Sequence, residues 1–284
     1  MIIDFHVHTF PAEIRDHRER FLESEPEFKI LYENPASRLV SAENIIAMMD
    51  DQGVDVSVVF GFPWRSIDTC RLNNDYVIDM VKQYPDRLRG FCCVDTLNPG
   101  AAAEVERCLD AGLDGVGELA FYGSGIDDQC QDSLAPIMEL CRQRDVPVLL
   151  HTNEEVGHVY PGKTPNTMGQ IYATVSRFPD NTIVLAHWGG GIFFYQLLKK
   201  AVREVLKNVY YDIAASPFLY QNQIYAHARE LAGMDNILFG TDYPLLKPDR
   251  YLKEMREGGV TPDERDQICW KNAARLLKLD EQKQ

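Results

Sequence analysis

Short apolar, β-branched runs alternate with amphipathic stretches along the whole chain. The runs cover residues 2–8, 54–61, 88–95, 114–120, 146–152, 183–187, 209–213 and 237–242, lengths typical of strands. The stretches between them carry helix start and stop signals. Ser41 precedes Ile45, Met48 and Met49 at helical spacing, and Gly53 follows. Asn98-Pro99 leads into Val105 and Leu109 and is closed by Gly112. Thr261-Pro262 with Glu264 reads as a capping box with proline at the first helical position. Strands alternating with helices predict βαβ units around a parallel sheet, and eight such units in 284 residues predict an α/β fold of the (β/α)₈ TIM-barrel type. One domain over residues 1–284 is expected. A doubly wound open sheet is the alternative, but no Gly-x-Gly-x-x-Gly turn follows the first strand. Two connections are longer than a barrel needs: 9–40 after the first strand and 154–166 after the fifth. Both leave the C-terminal ends of strands, where barrel active sites lie.

Composition narrows the setting. The chain is 45% hydrophobic, enough for a large core, and its net charge of -14 opposes binding to nucleic acid or an anionic membrane. No apolar run reaches membrane-spanning length, and a polar, histidine-bearing strand stands where a secretory signal would need an apolar core. The seven cysteines are scattered without paired metal spacing and read as reduced fillers. A soluble cytoplasmic protein with a small-molecule substrate is expected, with self-association into a homo-oligomer left open.

Chemistry gathers at the strand ends. In Ile3-Asp4-Phe5-His6-Val7-His8, strict alternation puts Asp4, His6 and His8 on one face and Ile3, Phe5 and Val7 on the other. Two adjacent imidazoles are half of a metal site or a hydrogen-bonded core pair. The other strand ends favour the metal, because Glu118, His151, His187 and Asp242 close the fourth, fifth, sixth and eighth runs. In a barrel these six residues meet at one mouth as nitrogen and oxygen ligands suited to zinc or another divalent metal. Asp4 is read as a backbone-fastening group rather than a ligand.

Over nearly its full length the chain resembles the amidohydrolase superfamily, and within it the amidohydrolase-related branch that includes the aminocarboxymuconate-semialdehyde decarboxylase-like enzymes. The resemblance rests on Asp4-Phe5-His6-Val7-His8, Gly115-Val116-Gly117-Glu118, Leu150-His151-Thr152, Ala186-His187-Trp188-Gly189-Gly190, Gly240-Thr241-Asp242-Tyr243-Pro244 and Asn272-Ala273-Ala274-Arg275. It implies one or two divalent ions, usually zinc. A single ion would be held by His6, His8 and Asp242 with His151. With two, His151 and His187 would take the second ion and Glu118 would bridge, and this arrangement is favoured.

The expected reaction is zinc-dependent hydrolysis of a small, carboxylated amide, lactone or related compound by metal-activated water. Asp242 would act as base and then acid, and His187 would orient the water or donate a proton. The alternative on the same fold is a metal-dependent nonoxidative decarboxylase in which His187 or Asp242 manages a proton. Arg65, Trp188 and Tyr122 are candidate substrate contacts, with Lys163 and His158 weaker ones. His17 and His227 lack strand-end positions, and Phe193, Phe194 and Tyr195 are read as helix packing or an oligomer contact.

Overall fold

A computed structural model describes residues 1–279, so the expected 1–284 domain extends past the described residues. Eight parallel strands follow one another around a sheet in chain order. They are β1 (Ile3–His8), β2 (Val56–Phe60), β3 (Leu88–Cys92), β4 (Gly115–Leu119), β5 (Val148–Leu150), β6 (Ile183–Leu185), β7 (Val209–Asp212) and β8 (Ile237–Leu238). Backbone bonds from Phe5 N to Phe239 O (2.8 Å) and from Asp242 N to His6 O (2.9 Å) join the last strand to the first. This closes the expected (β/α)₈ barrel as a single α/β domain.

Strand pairing is shorter than the apolar runs. Residues 93–95, 151–152 and 239–242 lie past the ends of their strands, and from two of these ends His151 and Asp242 reach the mouth. The expected caps are present: Ser41 and Thr261 each form a capping box, and Gly53 ends the helix Ala42–Gln52 at φ 69°.

Strict alternation fails in β1. The pairing register with β2 shifts between Asp4 and Val7. Ile3 and Phe5 pack with Val58, Phe91, Leu149, Val184 and Leu238, and side chains from so many strands can share one cluster only inside the barrel. Val7 belongs instead to the larger cluster with Ile45 and Met49 of the helix Ala42–Gln52. The irregularity lets β1 turn Phe5 into the lower barrel while His6 and His8 still face the upper mouth, a bend of the kind a β-bulge makes.

The connection after β1 is more structured than a loop. It holds the helices Ala12–Arg15 and Pro26–Tyr32. Phe10, Phe28 and Tyr32 pack with Phe62 and Trp64 at ring separations of 4.6–6.2 Å, fixing this segment against the loop after β2 as one wall of the mouth. The buried Glu25 carboxylate adds a polar clamp, accepting bonds from the amides of Arg65 (2.7 Å) and Ser66 (3.0 Å). Among the described residues no helix is long and apolar enough to cross a membrane.

Candidate metal centre

Each histidine of the mouth is oriented through its Nδ1. His6 Nδ1 lies 2.9 Å from Asp212 Oδ2, His8 Nδ1 lies 3.1 Å from Gly61 O, and His187 Nδ1 lies 2.9 Å from Ala214 O. Ionised carboxylates and carbonyls only accept hydrogen bonds, so each Nδ1–H is the donor, and Nε2 is the nitrogen left to take a proton or a metal ion. His151 follows the same rule, with Nδ1 2.9 Å from Glu118 Oε1.

The Nε2 atoms of His6, His8 and His187 face carboxylate oxygens. Glu118 Oε2 is 3.5 Å from His6 Nε2 and 3.6 Å from His8 Nε2, while Glu118 Oε1 is 3.5 Å from His187 Nε2. Asp242 Oδ1 lies 3.3 Å from His8 Nε2 and 3.8 Å from His6 Nε2. His6 Nε2 and His151 Nε2 are buried without a hydrogen-bond partner. Acceptors converging on acceptors repel unless positive charge lies between them.

The electrostatics report the same demand. Burial disfavours the charged form of His6, yet the negative charges of Glu118 and Asp212 outweigh it and hold the imidazole well above the ordinary histidine value. His187 behaves alike: burial opposes protonation, but Glu118 raises it to about 9. Glu118 is driven well below the usual carboxylate range, burial being overcome by the charges of His6 and His151.

A divalent cation fits this donor set. Two ligands at ~2.1 Å from one ion are about 3.0 Å apart at right angles and about 3.4 Å apart at the tetrahedral angle, close to the separations on either side of Glu118. The groups His6/His8/Glu118, His6/His187/Asp242 and Glu118/His151/His187 each bring their ligand atoms within 4.8 Å of one another. The three sets share members, and Glu118 turns one oxygen toward His6 and His8 and the other toward His151 and His187.

The backbone around these groups is held in uncommon conformations. His187 and Trp188 have φ of 55° and 61°, and with Gly189, Gly190 and Gly191 they make a left-handed turn bonded from Gly190 N to His187 O and from Gly191 N to Trp188 O. A non-glycine residue there costs about 1–3 kcal/mol and persists only where its surroundings impose it. Asp212 Oδ1 imposes it by accepting from His187 N at 2.9 Å, and the Thr152 hydroxyl donates to Ala186 O. A Cβ on Gly190 would come within 2.2 Å of Asn153 O, so only glycine fits. Asp242 also has positive φ, 56°. It is fastened from behind by Asp4, which accepts from Thr241 N (3.0 Å) and Thr241 Oγ1 (2.6 Å), the backbone-fastening role expected for that residue.

Asp212 is the functional residue the sequence analysis passed over. It ends the seventh run just as the chosen residues end theirs. The strand-end rule that picked the others would have found it had it covered all eight runs.

Above the cluster opens a cavity of about 700 Å³. His8, Glu118, His151, His187 and Asp242 lie at it, and Tyr32, Phe62, Tyr122 and Phe218 supply aromatic lining. Tyr122 lies parallel to Phe62 on one side and His151 on the other, at 6.2 and 6.4 Å between ring centres. His158 and Tyr160 line the cavity from the connection after β5. Arg65 and Trp188 do not join this lining. The Arg65 guanidinium is spent on Glu27 at 2.6 Å. Trp188 is fully buried, donating from Nε1 to Ser216 Oγ at 2.8 Å, because the left-handed turn points it into the core. Lys163 pairs with Glu154 at 3.1 Å. Elsewhere, His17 is exposed, His227 lies tilted against Phe194 at 6.1 Å between ring centres, Phe193 is buried, and Phe194 and Tyr195 are surface residues.

Comparison with known proteins sharpens the chemistry. The chain is 24% identical over 302 residues to the gamma-resorcylate decarboxylase of Polaromonas sp. (strain JS666 / ATCC BAA-500), covering 86% of this chain and 90% of the relative. Its fold is similar to a dihydroxybenzoic acid decarboxylase from Polaromonas sp. JS666 with bound manganese and 2-nitroresorcinol (TM-score 0.74, 19% identity, 98% of this chain and 97% of that one). It is also similar to the manganese-bound 5-carboxyvanillate decarboxylase of Novosphingobium aromaticivorans DSM 12444 (TM-score 0.78, 17% identity, 98% and 97%). These findings overturn the expected zinc-dependent hydrolase: the relatives remove carboxyl groups, and the ion in both solved structures is manganese. The strand-end ligands that suggested metal-activated water serve a decarboxylase equally, since such a set specifies the ion's surroundings and not the bond that is broken. The family called Amidohydrolase matches residues 3–279, and the chain belongs to it, as a TIM barrel with a buried metal-binding site at its mouth.

Proposed function

We propose that this protein is a divalent-metal-dependent nonoxidative decarboxylase of a hydroxylated aromatic carboxylic acid. The observation that carries the reading is the convergence of four histidines and two carboxylates on a cavity lined by aromatic side chains. Its likeness along most of the chain to resorcylate and carboxyvanillate decarboxylases supports it.

His6, His8, Asp242 and Glu118 would hold one ion, and His151 and His187 with the other oxygen of Glu118 a second; manganese, the ion of the relatives, is the first choice. When bound, the cation supplies positive charge that binds the acid's carboxylate and a neighbouring oxygen. Everything else falls to the chain. Tyr122 and Phe62 offer flat faces to a ring, and stacking of this kind contributes about 0.5–1.5 kcal/mol per aromatic pair. Decarboxylation breaks the bond between ring and carboxyl carbon, releases CO₂ and leaves the bonding electron pair on the ring carbon, which must take up one proton. His187 and Asp242 both line the cavity, and one of them delivers that proton.

All seven cysteines are free and buried, which supports a reducing, cytoplasmic setting. The reading is tested by measuring CO₂ released from a panel of ortho-hydroxybenzoic acids by the manganese-loaded protein. Release above the uncatalysed rate from at least one acid supports it, and hydrolysis of amides or lactones without CO₂ release would overturn it.

A further inference from the structure

Behind the mouth, one phenol is bonded to the backbone of two strand ends at once. Tyr251 stands on the helix Pro248–Glu257 that follows β8; it is fully buried and does not line the cavity. Its hydroxyl donates to Thr241 O at 2.7 Å and accepts from Ala215 N at 2.9 Å. The first bond lies one residue before Asp242. The second lies one residue after Ala214, whose carbonyl accepts from His187 Nδ1 at 2.9 Å.

Both segments are held in conformations that need support. Asp242 and Ala215 have φ of 56° and 55°, left-handed values that a non-glycine residue keeps only where its surroundings impose them. Asp4 fastens Thr241 through its amide and hydroxyl, which leaves the carbonyl to Tyr251. Asp212 Oδ1 accepts from Ala214 N at 3.0 Å, which leaves the next amide, that of Ala215, to Tyr251. The hydroxyl thus ties one fastened segment to the other. Its place is set by packing as well, because the Tyr251 ring lies edge-on to Phe239 at 5.8 Å between centres. What the two segments carry or orient, Asp242 and His187, are the groups placed to handle the proton, and their ligand atoms come within 4.8 Å of each other.

We propose that Tyr251 is a positioning residue whose hydroxyl sets the spacing of Asp242 and His187, and so tunes metal affinity and proton delivery without touching ion or substrate. Its part in proton delivery rests on the decarboxylase reading above; its part in holding the metal does not.

Tyr251→Phe removes the hydroxyl and keeps the ring packing. Tyr225→Phe is the matched control, because Tyr225 is equally buried and its hydroxyl has no hydrogen-bond partner among the described residues. Manganese affinity is measured by chelator competition and stability by denaturant unfolding on each protein. Tyr251→Phe weakens manganese binding about tenfold, the low end for loss of a group that orients a ligand, and Tyr225→Phe changes it by less than about twofold. A merely structural hydroxyl would lower the unfolding midpoint and leave manganese affinity alone. With an acid that the wild type turns over, Tyr251→Phe lowers kcat about tenfold at unchanged KM, as loss of a transition-state arrangement requires. Wild-type manganese affinity in Tyr251→Phe, an equal loss in Tyr225→Phe, or a raised KM at unchanged kcat would overturn the proposal. Absence of CO₂ release by the wild type together with a manganese affinity that depends on Tyr251 would instead discard the decarboxylase reading and leave the clamp standing.

Discussion

Asp212 Oδ2 lies 2.9 Å from His6 Nδ1, while the other oxygen of the same carboxylate accepts from the His187 amide at 2.9 Å. One fully buried side chain therefore sets the tautomer of His6 on β1 and the backbone of His187 just past β6. Asp212→Asn can still bridge the two, but its neutral amide no longer fixes His6 Nδ1 as the donor. Such a change costs a metal site about 10–100-fold in affinity. Chelator competition on the manganese-loaded protein reads the loss, and an unchanged affinity would remove Asp212 from the site.

Glu118 offers one oxygen to His6 and His8 and the other to His151 and His187. A bridge of this form predicts two ions per chain in the wild type and about one in Glu118→Ala. Elemental analysis after desalting gives both numbers, and one ion in each protein would show that Glu118 does not bridge.

Gly190 holds the left-handed turn beside His187 at φ 62°, with no room for a Cβ beside Asn153 O. Gly190→Ala lowers stability by about 1–3 kcal/mol and weakens metal binding, because the turn can relax only by moving His187 or the 153–164 segment. Denaturant unfolding and metal titration on the same protein check the pair of effects.

Away from the site, Glu264 caps the helix Pro262–Asp266 and pairs with Arg229. The Arg229 hydrogen bond lowers its carboxyl from 4.5 to about 2. A depressed folded-state pKa gives stability that is fully present above pH 4.5 and is lost as pH falls toward 2. The stability difference between wild type and Glu264→Gln therefore narrows as unfolding is measured from pH 5 downward. The pair is partly exposed, so the effect is small and weakens with salt.

Much of the barrel was legible because each layer repeats one signal. Apolar runs bounded by Ser41, Gly53 or Thr261-Pro262 name strands and helices in order, and five strand ends bearing His, Glu or Asp mark the mouth. Three things were not legible. The register shift in β1 sends Phe5 inward against simple alternation, because pairing with β2 overrides local period. The left-handed run from His187 to Gly191 turns Trp188 into the core, and only the glycines after it hint at that. The role of Arg65 depends on which acid lies opposite, and Glu27 neutralises it. The reaction itself was misread because the ligand set is shared by hydrolases and decarboxylases.

The central claim is that the chain removes a carboxyl group from an aromatic acid and puts a proton in its place. Turnover of ortho-hydroxybenzoic and hydroxybenzenedicarboxylic acids by the manganese-loaded protein in D₂O, followed by proton NMR, tests it directly. The expected product is a phenol carrying one deuteron at the carbon that bore the carboxyl, and it is lost in Asp242→Asn or His187→Gln. Recovery of every acid unchanged, or formation of the deuterated phenol at the same rate with both variants, would contradict it.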